Sequence, residues 1–65
     1  MRIDVNGEPS EVSGPSLAEA LTELGWAESR VATAVNGNFV PKAARASTAL
    51  KDGDRLEVLA PMQGG

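Results

Sequence analysis

Apolar and polar positions alternate over 2–6, where Ile3 and Val5 share one side and Asp4 takes the other, as in a half-buried strand. Asn6-Gly7 follows, two residues that tolerate positive φ, and predicts a tight hairpin turn. Val12 then belongs to a returning strand over 9–13, and Pro9, which has no amide donor, belongs at that strand's start or on a sheet edge. Gly14-Pro15 breaks the strand, and Ser16 with Glu19 forms the S-x-x-E pattern of a capping box. Leu17, Ala20, Leu21 and Leu24 recur at three- and four-residue spacing, which predicts a helix with one apolar stripe and with Glu19, Thr22 and Glu23 on the wet side. Gly25 is placed to end that helix, and Trp26 to make the apolar contact that closes such an end.

The second half reads as strands again. Over 30–36, Val31, Thr33 and Val35 fall on one side and the small Ala32 and Ala34 on the other. Asn36-Gly37 predicts another turn, into a short segment of Phe39 and Val40 that Pro41 cuts off. Residues 42–50 read as irregular or as one short turn of helix. Asp52-Gly53-Asp54 makes a further turn, and 55–60 alternates with Leu56, Val58 and Ala60 inward. Val-Asn-Gly occurs at both Val5 and Val35, but nothing else repeats at that spacing, so the two read as independent turns. The order strand, strand, helix, strand, short strand, strand predicts an α+β fold with one helix packed across a single mixed sheet. The first and last strands are the most apolar and are expected side by side and parallel near its centre.

Composition narrows the chemistry. At 65 residues the chain is one domain that buries only about 60% of its unfolded surface. It has no cysteine and no histidine, which removes thiolate chemistry, the commonest metal ligands and the usual neutral-pH base. The net charge of -3 and three scattered cations, Lys42, Arg45 and Lys51, argue against nucleic acid as a partner. No apolar run approaches the ~20 residues of a membrane span, and MRIDVNG is strand-like rather than a leader, so a cytoplasmic location is expected. Asp52 and Asp54 around one glycine read as a solvated turn rather than a metal pair.

The motifs taken together carry a resemblance. Val-Asn-Gly after a first strand, the leucine-striped helix, Val35-Asn36-Gly37 followed by Phe39-Val40-Pro41-Lys42, Leu50-Lys51-Asp52-Gly53-Asp54-Arg55 and the terminal Gly64-Gly65 stand in the order of the ThiS family, the sulfur carriers of thiamin thiazole synthesis. The chain resembles that family over its whole length. Each motif alone is weak, and the set is specific. The resemblance implies the β-grasp, ubiquitin-like fold, with a domain over 1–60 and a flexible tail over 61–65. It also implies that the chain is not an enzyme. The Gly65 carboxylate would be adenylated with ATP by a partner resembling the ubiquitin-activating enzymes, then converted to a thiocarboxylate by a sulfur donor such as a protein persulfide. Thiazole synthase would receive the sulfur, and the carrier itself would bind no cofactor. One departure stands out: Met62 and the polar Gln63 precede the glycine pair, where the family tends to have small or apolar residues.

Phe39, Leu59 and Met62 are the candidate partner surface, with core packing as the alternative for the first two. Trp26 has two readings, a partner anchor or the cap of its own helix, and the second is preferred. A terminal Gly-Gly taken alone is more often a frayed end. Two other functions stay open: the small subunit of molybdopterin synthase, with the same fold and tail chemistry, and a β-grasp binding module with an inert tail.

Overall fold

Ile3 and Val5 are both buried, and a strand that buries alternate residues can pair in only one register without turning its apolar face to water. The computed structural model describes residues 1–27 and 30–60. Strand β1, Arg2–Val5, turns back through Asn6-Gly7 into β2, Glu8–Glu11, with Val5 opposite Glu8 and Arg2 opposite Glu11. Asn6 and Gly7 both have positive φ, 51° and 87°, as a two-residue turn matching the strand twist requires. The returning strand stops short of the predicted range, but Met1 and Val12 still exchange main-chain hydrogen bonds beyond it.

Helix α1, Leu17–Glu23, begins at the predicted capping box: the Ser16 hydroxyl accepts from the Glu19 N–H, and the Glu19 carboxylate accepts from the Ser16 N–H. The Leu17 N–H, which has no partner inside the helix, donates to the Thr48 carbonyl at 2.8 Å. At the far end Gly25 has φ 93°, its N–H donates to the Thr22 carbonyl, and the Trp26 N–H donates to the Leu21 carbonyl. This pair of bonds is the Schellman closure. Leu17, Ala20 and Leu21 are buried, while Leu24 and Trp26 are half-buried and pack on the core edge. Glu23 is exposed, yet its carboxylate accepts from the Ser13 and Gly14 N–H groups at 2.8 and 2.9 Å and ties the helix to the segment before it.

Strand β3, Ala32–Val35, and strand β4, Asn38–Val40, form the second hairpin through Asn36-Gly37. A 3₁₀ helix, Lys42–Ser47, crosses to β5, Arg55–Leu59. The five strands lie in the order β2-β1-β5-β3-β4. As expected, the first and last strands are neighbours and parallel; the other pairs are antiparallel. Ile3, Val5, Leu56 and Val58 meet Leu17, Ala20 and Leu21 in the core, closed by Val12, Val40 and Leu50. One inward expectation fails. Ala60 is exposed: the β3–β5 ladder ends at the Ala32–Leu59 pair, and among the described residues no strand pairs beyond it. Thr33 is one of two buried polar residues among those described: its hydroxyl donates to the Val40 carbonyl at 2.8 Å and accepts from Arg45 Nε at 3.2 Å. Among the described residues no helix is long and apolar enough to cross a membrane. The expected tail, with Met62, Gly64 and Gly65, lies outside the described residues.

Candidate functional site

Partners across a ladder present their side chains on one face, so the register fixes what the side of the sheet away from α1 displays. Ala34 stands between Glu57 of β5 and Phe39 of β4, and Ala32 stands opposite Leu59. Two small residues of β3 thus form the floor between two large apolar side chains. Phe39 is 68% exposed and Leu59 67% exposed, which rules out core packing for either. The other half of the face is charged. Asp4 neighbours Arg55 across β1–β5, and Arg2 pairs with Glu11 at 3.6 Å. Between the β1–β2 turn and Leu59 lies a hollow of about 530 Å³, with Asp4, Gly7, Glu57 and Leu59 among the residues around it.

Strand β5 carries this face toward the C-terminal residues, and it is fastened at both ends by the asparagines of the two hairpin turns. At its start the Asn36 N–H donates to the Arg55 carbonyl at 2.8 Å, and Asn36 Oδ1 accepts from the Arg55 N–H at 2.9 Å. Asn36 Nδ2 also donates to Asp54 Oδ1 at 3.0 Å. Near its end Asn6 Oδ1 accepts from the Val58 N–H at 2.8 Å, and Asn6 Nδ2 donates to the Val58 carbonyl at 3.1 Å. The Asn-Gly pairs are therefore more than turn chemistry. The repeated Val-Asn-Gly was the available signal, but the partners of its side chains, main-chain atoms of Arg55 and Val58 and the Asp54 carboxylate, lie far along the chain.

Asp54 closes the turn before β5 and is buried. Burial alone raises its carboxyl pKa, but the bonds from Asn36 Nδ2 and the Lys51 N–H, together with the Lys51 ammonium at 3.4 Å, outweigh that effect and hold it below the ordinary carboxylate value. Asp52 accepts from the Arg2 N–H at 2.8 Å. Both carboxylates belong to the turn, but the expected solvation fails for Asp54, which is buried, while Asp52 ties the turn to β1. Among the described residues no cluster of three metal-ligating side chains occurs.

A mixed five-stranded sheet of this order with one helix across it is the ubiquitin-like β-grasp fold. A family model described as the ThiS family matches residues 3–65, and the chain belongs to that family. It is 39% identical over 61 residues to the sulfur carrier protein ThiS of Thermus thermophilus, covering 94% of this chain and 95% of that one. It is 41% identical over 66 residues to a thiazole synthase of Paramagnetospirillum magneticum, covering all of this chain but only 20% of that protein's length. Among solved structures, the crystal structure of the thiamine biosynthesis protein ThiS from Geobacter metallireducens aligns over the whole of both chains with a TM-score of 0.84 and 38% identity.

Proposed function

We propose that this chain is a cytoplasmic sulfur carrier protein of thiamine biosynthesis whose Gly65 carboxylate is the reacting group. The observation that carries the reading is the end-to-end match to a sulfur carrier, with the family match running through Gly65. A carboxylate is a poor electrophile. ATP in the site of an adenylating partner converts it to an acyl-adenylate with release of pyrophosphate, and the terminal sulfur of a persulfide then attacks the acyl carbon and expels AMP. Two thiol equivalents of a reductant cleave the resulting acyl disulfide and are themselves oxidised to a disulfide, leaving the thiocarboxylate on Gly65 and a thiol on the donor. Gly64 and Gly65 suit this role because a residue without Cβ takes backbone conformations closed to others and passes close to a partner's main chain.

The partners hold the catalytic groups, in keeping with a chain that has neither cysteine nor histidine. The apolar half of the outer face, Phe39 and Leu59 with Met62 of the tail, is the surface by which they dock. A thiazole synthase is the proposed acceptor. Support comes from the relative of that name, in which a segment like this chain is part of the same polypeptide.

Mass spectrometry tests the reading. Given ATP, an adenylating enzyme, a persulfide donor and a thiol reductant, the protein is expected to gain the difference between one sulfur and one oxygen, confined to a C-terminal fragment containing Gly65. A residue added after Gly65 is expected to block the gain. No mass change in the unextended chain leaves only a binding module. Sulfur transfer to the large subunit of molybdopterin synthase and not to thiazole synthase moves the protein to that other pathway.

A further inference from the structure

We infer that Asn6 is a positioning residue for the C-terminal segment, its carboxamide setting the direction in which the chain leaves the sheet at Ala60. The β1–β5 ladder has its last register pair at Val5 and Leu56, after which the Asn6 N–H still donates to the Leu56 carbonyl at 2.9 Å. There the main chain of Asn6, at φ 51°, turns away toward β2. Strand β5 runs on to Leu59. The Val58 N–H and C=O on that edge would then face no strand, and the Asn6 carboxamide takes both, at 2.8 and 3.1 Å.

A primary amide presents one N–H and its C=O on the same side, as a strand residue presents its own N–H and C=O to one neighbour, so the side chain acts as one more residue of β1. On the opposite edge Leu59 is paired with Ala32. The last residues before Ala60 are thus held from both sides, and one of the two holds is a single side chain. The requirement is narrow. Glycine keeps the positive φ and loses both bonds; ionised aspartate keeps the acceptor and has no hydrogen for the Val58 carbonyl.

Asn36 supplies the comparison. It makes the same kind of fastening at the start of β5, through Arg55 and Asp54, at the end of the strand remote from Ala60. A stability role alone predicts the same consequence for either loss. A positioning role predicts that only the loss at Asn6 reaches the reaction, because a reacting carbon presented slightly out of place is costly for turnover.

The inference rests on the carrier reading, and the test separates the two. With the adenylating enzyme, ATP, a persulfide donor and a thiol reductant, kcat and KM for thiocarboxylate formation are measured for the full chain, Asn6→Gly and Asn36→Gly, and amide exchange is followed at Val58 and Arg55. Asn6→Gly is expected to speed Val58 exchange roughly tenfold, as the loss of its hydrogen bond implies. It is also expected to lower kcat by about the same factor with KM nearly unchanged. Asn36→Gly is expected to speed exchange at Arg55 and leave kcat as it was. Should Asn6→Gly not fold, Asn6→Asp carries the test, with a smaller loss in the same direction. Equal losses of kcat in the two glycine variants, or unchanged kcat in Asn6→Gly with the Val58 amide exposed, overturn the role of Asn6 alone. An unmodified chain that gains no sulfur overturns the carrier reading and this inference with it.

Discussion

Asp54 shows how one buried carboxylate ties stability to pH. Its pKa in the folded chain lies below the ordinary 3.8, so the folded state holds the proton less tightly than the unfolded one and stability rises with pH across that interval. The contribution is fully present above the unfolded value and is lost as pH falls through the lower folded one. Asp54→Asn keeps the shape and removes the charge. It is expected to cost about 2 kcal/mol at neutral pH, measured by urea unfolding, and the gap from the unmodified chain is expected to narrow as both are acidified below the ordinary carboxylate range. A gap that stays constant across that range assigns the pKa shift to some other feature of the turn. The other buried polar residue, Thr33, joins the Val40 carbonyl to the Arg45 guanidinium, which also donates to the Val31 carbonyl. Arg45 appeared in the sequence only as a scattered cation.

At the scale of elements, much was legible because the signals were local. Ser16 and Glu19 announced the helix start, Gly25 its end, and the alternation at Ile3 and Val5 and at Leu56 and Val58 marked the two inner strands. The hairpin turns were equally plain. Gly7 sits at φ +87°, and nothing lies within 4 Å of where a Cβ would project. Gly7→Val is therefore expected to lower stability by about 1–2 kcal/mol through backbone strain alone; urea unfolding measures it, and a near-zero change means that the turn relaxes to another type. What stayed hidden joins groups far apart to main-chain atoms, which carry no sequence signature: Asn6 to Val58, Glu23 to Ser13 and Gly14, Arg45 to Val31. Ala60 continued the alternation and was read as inward, but among the described residues no strand pairs beyond Leu59. Of the candidate surface, Leu59 stands out in the sequence by its phase and Phe39 by its place on a short segment, whereas the asparagine fastenings of β5 required the fold.

For the whole molecule, the outer face of the sheet, with Phe39 and Leu59, lies on one side, while α1 and the core occupy the other. Leu59→Glu adds a carboxylate on an exposed position of β5, so the melting temperature is expected to stay nearly unchanged. Affinity for the adenylating partner, measured by titration calorimetry, is expected to fall by more than about 1 kcal/mol. Unaltered affinity would move the docking surface elsewhere on the chain. The edges of the sheet bear on a different hazard. In the β1–β2 ladder Met1 and Val12 exchange main-chain bonds, so by alternation Pro9 faces outward, where it has no N–H to offer another strand. At the opposite edge β4 is only three residues long and is followed at once by Pro41. Short strands and outward prolines are what keep sheets from joining edge to edge into fibres. The exposed apolar face is thus flanked by edges that offer no long strand with which to polymerise, so copies brought close together lack a ready route to a shared sheet.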